Sequence, residues 1–278
     1  MTVTWSPDMS NWDSPAVEQN AACIVSSSSG PPVVRASLEN TALSAITVAQ
    51  LQAFVAAGAT PLTYSWCYGQ DVPEQVVTNT IKLIDPYVTI KRLAPDIEDT
   101  TYFLKQSKQP IPKRIMVQQV VGKAGSLGTL APADAVIWLR RFVTEARTQG
   151  YQPMFYSVIG LWNQLCGGDT SFSDVDGWCA DWDSNPDPTV VVPFGGITNW
   201  CGKQYLSSGS DVTICGLSLD LNVWIQEKIN PIPAPPIAPT GPDVVDAQAR
   251  LNMLDQAIDT NAANLHALVQ GAREDLNA

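Results

Sequence analysis

The 278-residue sequence predicts an α/β fold. It is read as an irregular (β/α) TIM-like barrel over residues 1–228, a Pro-rich linker over 229–242 and a C-terminal coiled-coil helix over 243–278. Three observations predict it. Up to about Lys228, short β-like runs alternate with helix-like stretches, the alternation of a sheet built from βα units. Asn230 to Pro242 (NPIPAPPIAPTGP) then carries six prolines and no charge, which suits a stiff polyproline-type spacer. From Asp243 onward proline disappears and apolar residues return with helical spacing.

Taken in order, the expected strands are Val3–Asp8, Ala22–Ser27, Thr60–Trp66, Tyr87–Ile97, Gln152–Ser157, Gly177–Trp182, Gly202–Leu206 and Val212–Asp220. Helices are expected where start and stop signals frame an apolar period. Thr47–Ala57 stops before Gly58, Pro73–Ile84 opens with proline in its first turn, and Pro132–Thr148 stops before Gly150. After Trp162 the helices become short or vanish, which makes the barrel irregular rather than eightfold regular. Thr100–Leu130 is long for a connection, and Arg114–Val121 (RIMVQQVV) reads as an extra strand or hairpin within it.

Composition excludes several function classes. Sixteen Lys+Arg against 27 Asp+Glu leave a formal charge of −11, the wrong sign for displacing counterions from nucleic-acid phosphates or for docking on anionic lipid. With 45% hydrophobic and 15% charged residues, the chain can bury a sizeable core. His266, the one histidine, falls in the tail, which disfavours His-based metal sites and a Ser-His-Asp triad. Met1-Thr2-Val3-Thr4-Trp5 has neither the basic nor the apolar region of an export signal, so synthesis in a cytoplasm is expected. Cys23, Cys67, Cys166, Cys179, Cys201 and Cys215 form no CxxC pair; mostly buried free thiols are expected, with one or more disulfides left open.

The sharpest local feature is Asp96-Ile97-Glu98 at the end of the fourth expected strand. Residues i and i+2 of a strand share a face, so Asp96 and Glu98 project together while Ile97 turns to the helices. Catalytic groups collect at the C-terminal rim of barrel strands. Two carboxyls so close do not both ionise freely, which leaves one as a proton donor. Asp8, Asp181 with Asp183, and Asp220 fall at the ends of the first, sixth and last expected strands. Tyr64, Trp66, Tyr68, Tyr156, Trp178, Trp182, Trp200 and Tyr205 lie near strand ends as well. A rim of carboxylates with aromatic neighbours is what glycosidic chemistry needs: an acid for the departing oxygen, anions for an oxocarbenium-like centre and flat faces for sugar rings.

In this order along residues 1–226, the motifs resemble glycoside hydrolase family 25, the muramidases with an irregular (β/α) barrel. The matching stretches are Asp8-Met9-Ser10-Asn11-Trp12, Asp96 with Glu98, Tyr156-Ser157, Trp178-Cys179-Ala180-Asp181, Gln204-Tyr205, and Asp220-Leu221-Asn222 with Trp224. The resemblance implies Glu98 as general acid/base, Asp96 orienting or polarising the substrate's N-acetyl group, and Asp8 and Asp220 supporting the charged site. It implies sugar contacts by Tyr64, Trp66, Tyr156, Trp178, Asp181, Trp182 and Gln204. The implied reaction cleaves the β-1,4 bond between N-acetylmuramic acid and N-acetylglucosamine in bacterial peptidoglycan, with no metal and no organic cofactor. Family members commonly carry an acid just before the glycine after the second strand; this chain has Ser26-Ser27-Ser28-Ser29-Gly30 at the place assigned to it. That departure keeps open a non-catalytic barrel that binds wall glycan or serves as a structural virion piece.

The tail carries a separate signal. Val244, Ala247, Leu251, Leu254, Ile258, Asn261, Leu265, Leu268 and Ala272 are spaced alternately three and four apart, the a/d seam of a coiled coil. Arg250 and Arg273 face six acidic residues there, so the segment is no basic wall anchor. Self-association or docking on another virion protein is expected of it. Barrel, spacer and stalk together lead to the expectation of a bacteriophage virion protein of the tail or another externally displayed part, made in the host cytoplasm and acting at the host cell wall, with a free endolysin as the weaker alternative.

Overall fold

The structure, a computed structural model, describes residues 1–10, 13–36, 41–67, 69, 71–97, 130–208 and 211–229. The expected Arg114–Val121 strand, the Pro-rich linker from residue 230 on, the coiled-coil seam and His266 lie outside the described residues, as does Glu98; Ile229, expected to open the linker, ends a short helix.

Eight strands close into a barrel in sequence order, β1 to β8. They are β1 (Val3–Met9), β2 (Val33–Arg35), β3 (Leu62–Trp66), β4 (Arg92–Asp96), β5 (Gln152–Ser157), β6 (Asp176–Ala180), β7 (Asn199–Leu206) and β8 (Asp220–Ile225). The described helices are α1 (Ala16–Ser27), α2 (Thr41–Ala56), α3 (Pro73–Ile84), α4 (Pro132–Thr148), α5 (Ile159–Cys166) and a short α6 (Gln226–Ile229). Neighbours from β1 to β7 pair in parallel, whereas β8 runs antiparallel to both β7 and β1 and closes the ring. The predicted irregular (β/α) barrel is thus present. No described helix is long and apolar enough to cross a membrane.

Local sequence explains the helices. Val17, Ala21 and Ile24 of α1 lie four and three residues apart and are buried together. That stripe overturns the expected strand Ala22–Ser27: its β-branched end, Ile24-Val25, is the last turn of a helix. The α3 and α4 boundaries agree with expectation, each with proline at the first turn. Trp138, Leu139, Phe142, Val143 and Ala146 of α4 repeat at three and four residues and are buried. Each such large side chain contributes about 1.5–3 kcal/mol on leaving water.

Strand alternation divides the apolar residues into two cores. Val33, Leu62, Tyr64, Ala94, Met154, Tyr156, Trp178, Cys201 and Trp224 fill the barrel interior. Leu93, Ile97, Phe155, Cys179 and the helix stripes form the layer outside it. Ile97 faces the helices, as period two requires. Gly202 belongs where it stands because Trp224 lies across it: a Cβ there would come within 2.3 Å of the indole Cε3. At the lower end Arg92 is 2% exposed and pairs with Asp176 at 2.7 Å, and its Nε donates to the Ile229 carbonyl at 3.1 Å. This ion pair and α6 form the barrel floor.

Three further expectations change. Tyr87–Lys91 is not strand; the Tyr87 N–H closes a turn on the Ile84 carbonyl at 2.8 Å, and β4 begins at Arg92. The last strand is Asp220–Ile225 instead of Val212–Asp220. The residues before it form a tight Ile214–Leu217 bridge around Cys215 and Gly216, and Cys215 is disulfide-bonded to Cys23 of α1. Cys67, Cys166, Cys179 and Cys201 are buried free thiols, so the six cysteines divide between the two readings left open. Finally, β2 is Val33–Arg35, beyond the serine run.

Candidate active site

An open cleft of about 390 Å³ occupies the upper mouth of the barrel. Asp8, Ser10, Arg35, Tyr64, Trp66, Asp96, Tyr156, Trp178, Trp182, Gln204, Ser207, Ser208 and Asp220 line it. The ends of β1, β2, β3 and β4 deliver Asp8, Arg35, Tyr64 with Trp66, and Asp96. Asp220 arrives by the opposite route. It opens β8 rather than ending a parallel strand, and the antiparallel direction of β8 sets it directly across from Asp8. Cα partners of such a pair stand about 4.5–5.5 Å apart.

The cleft floor is aromatic. Trp178 packs at 4.4 Å from the Tyr156 ring, 5.2 Å from Trp224 and 6.0 Å from Tyr64. Trp182 stands on one wall with 38% of its surface exposed, available to a flat ligand face. On the opposite wall the Arg35 guanidinium lies 5.0 Å over the Trp66 ring. Helix α2 supports that wall: Thr47 Oγ1 donates to the Arg35 carbonyl at 3.0 Å, and Gln50 Nε2 to the Ser10 carbonyl at 3.0 Å.

Two amides hold Asp8. Asn222 Nδ2 donates to its Oδ2 at 2.7 Å and Gln204 Nε2 to the same oxygen at 2.9 Å. Burial pushes the Asp8 carboxyl well above the usual range, and the Asp220 charge adds to the push; the two amides pull the other way. Burial also raises Asp220, against the opposing Ser208 N–H that donates to its Oδ1. Nearby Asp13 is raised by burial too. Tyr64 is raised well above 10 by burial and by Asp8, so its hydroxyl is a neutral donor at physiological pH. The cleft therefore holds a carboxyl pair poised to share charge and protons, beside flat apolar faces.

Of the residues expected at the site, Asp8, Asp96, Asp220, Tyr64, Trp66, Tyr156, Trp178, Trp182 and Gln204 meet in this cleft. Glu98 lies outside the described residues. Asp181 is not brought in. Its carboxylate lies 3.6 Å from Nζ of the fully buried Lys203, which also binds Asp183 at 2.8 Å and the Val190 carbonyl at 2.9 Å. Both aspartates anchor the β6–β7 loop instead. Trp200 packs in the outer layer, 5.1 Å from Phe194.

Arg35 is the residue that sequence reasoning missed. The expected second strand, Ala22–Ser27, puts the rim in the serine run, which lies at the end of α1. The usable signal was Val33-Val34-Arg35 directly after Pro31-Pro32, an apolar run too short for a periodicity test.

No protein-family model matches the chain. A curated relative, the probable GH family 25 lysozyme 2 of Dictyostelium discoideum, is 29% identical over 93 residues, which is 34% of this chain and 42% of that protein. The chain thus matches less than half the length of that relative. Among solved structures, the family GH25 lysozyme from Aspergillus fumigatus superposes with a TM-score of 0.59 at 16% identity, over 82% of this chain and 99% of that one. The muramidase from Trichobolus zukalii gives 0.57 at 16% identity, over 80% and 93%. The modular autolysin LytC from Streptococcus pneumoniae, in complex with a synthetic peptidoglycan ligand, gives 0.55 at 15% identity, over 80% and 47%. By backbone likeness, residues of the eight-stranded barrel adopt the fold of the GH25 lysozymes.

Proposed function

We propose that this protein is a peptidoglycan hydrolase of the muramidase type, cleaving the β-1,4 bond between N-acetylmuramic acid and N-acetylglucosamine. The observation that carries the reading is the meeting of Asp8, Asp96 and Asp220 with Tyr64, Trp66, Trp178 and Trp182 in one open cleft at the mouth of a lysozyme-like barrel. The related autolysin with a peptidoglycan ligand supports the substrate class.

In this reading Asp96 orients the substrate's acetamido group, whose carbonyl oxygen attacks the anomeric carbon as the glycosidic bond breaks. Glu98, two residues on, gives its proton to the departing oxygen and then takes one from the incoming water. The aromatic faces hold the flanking sugars. Purified protein should release reducing ends from peptidoglycan, and Glu98→Gln should lower that rate by ~10²–10⁴. Undiminished activity in this variant rejects the assignment.

A second reading is a barrel that binds wall glycan without turnover. It is favoured by Arg35, a cation that lines the cleft among its carboxyls. Saturable glycan binding with no release of reducing ends selects it. For either reading we propose display on a bacteriophage virion, in the tail, through the Pro-rich spacer and the heptad segment. The support is the sequence order of barrel, spacer and seam. A monomer by light scattering, or absence from purified particles, rejects that placement.

A further inference from the structure

The hydrogen bonds behind the cleft fix which oxygen of Asp8 can carry a proton. An indole N–H only donates. Trp178 Nε1 lies 2.8 Å from one side-chain atom of Asn222, so that atom is the oxygen, Oδ1. Trp182 Nε1 lies 2.6 Å from Gln204 Oε1, and the Tyr156 hydroxyl donates to the same oxygen at 2.8 Å. Two tryptophans thus set the orientation of two amides. Both –NH2 groups then point to Asp8 Oδ2, which accepts from each. A proton on Oδ2 would collide with these donors. The other oxygen, Oδ1, receives no hydrogen bond from any described residue, and Asp8 lines the open cleft.

Resting on the saccharide reading above, we propose that Asp8 meets the bound sugar as a hydrogen-bond donor, presenting Oδ1–H to an acceptor oxygen of the ligand while Asp220 carries the charge of the pair. The surroundings favour the neutral form. Asp220 faces Asp8 from β8, Asp13 from the segment after β1, Asp96 from β4, Tyr64 from β3 and Tyr156 from β5. Arg35 on β2 is the opposing cation among the described lining residues, and it is stacked on Trp66. Burial and the Asp220 charge raise the Asp8 carboxyl in agreement with this geometry. Such a donor selects oxygens that can only accept, such as the acetamido carbonyl, and repels them once ionised.

The same geometry makes Asp8→Asn an isostere of the protonated acid. Its amide oxygen must take the Oδ2 place, where two N–H groups need an acceptor, and its –NH2 falls where Oδ1–H stood. The test is calorimetric titration of both proteins with N-acetylchitotetraose across acid to alkaline pH, with a ¹³C titration of the Asp8 carboxyl in the free wild-type protein. Wild-type affinity is expected to fall at least about tenfold as Asp8 ionises, the loss of one hydrogen bond of ~1.4 kcal/mol. Asp8→Asn should bind with no such fall, and the ¹³C midpoint should lie well above the ~3.9 of an ordinary aspartate. A midpoint near the ordinary value, or sugar binding that Asp8→Asn weakens at every pH, overturns the proposal and leaves the saccharide reading standing. Failure of both proteins to bind the sugar at any pH, with a raised midpoint, overturns the saccharide reading itself and the donor role with it.

Discussion

The carboxyls of the cleft and those of the outer helix layer are the same chemical group in opposite electrostatic circumstances. Asp8 and Asp220 face each other across two strands; burial raises both, with the Asp220 charge adding to the push on Asp8 and the Asp13 charge to that on Asp220. Asp174, on the outside, receives Arg140 and Arg147 at 2.8 Å each; against a partial desolvation that alone would raise it, the two guanidiniums hold it below the usual range. Asp183 is lowered by Lys203 and Asp85 by Lys91 and the Tyr151 hydroxyl. The outer acids strengthen the fold when ionised; the cleft acids weaken it when ionised. That contrast separates a functional rim from a structural scaffold without reference to any relative.

The two groups respond to pH with opposite sign. A raised folded-state pKa contributes stability that is complete below the unfolded value of about 3.9 and is lost as pH rises through the folded values. For Asp8 and Asp220 the loss therefore develops from mildly acidic pH upward. For Asp174 the contribution is present above about 3.9 and disappears as pH falls through its lowered value.

The largest expected effect tests the scaffold. Arg92→Met strands Asp176 uncompensated in the barrel floor, and urea denaturation should show a loss of about 3–5 kcal/mol. A loss below 1 kcal/mol would mean that water reaches the floor. Next, replacing Cys23 and Cys215 by serine opens a link between residues 192 apart in sequence and should cost about 2–4 kcal/mol, with the cleft still able to bind sugar. Gly202→Ala forces a methyl against Trp224 and should cost about 1–3 kcal/mol in thermal unfolding; an unchanged midpoint would contradict the close approach. Asp220→Asn sharpens the comparison directly: with the facing charge gone, the ¹³C titration of Asp8 should move down. No movement would show that burial alone raises it. The smallest effect belongs outside. Asp174→Asn should cost under about 1 kcal/mol at neutral pH, because the pair is half exposed, and nothing at strongly acidic pH.

Much of this was legible in the chain. Proline in the first turn and a three-four apolar stripe fixed α3 and α4, since helix signals are local. Asp8 and Asp96 were found because carboxylates at strand ends stand out against apolar runs. The same local reading failed where pairing partners decide. Cys23-Ile24-Val25 has the composition of a strand but lies in α1, whose buried stripe needs Val17 and Ala21 as well. Three residues of β2 are too few for any period, and they become strand only between β1 and β3.

By itself, then, the sequence determined the barrel class, the acids and the aromatics, because each rests on interactions within a few residues. Tertiary structure alone decided the reversed direction of β8, which sets Asp220 against Asp8 after more than 200 intervening residues. It also decided the indole-fixed amides that leave Asp8 one oxygen for a proton, and it withdrew Asp181 to the buried Lys203. Burial and charge pairing depend on which strands become neighbours, and ring closure settles that, not any local stretch of chain.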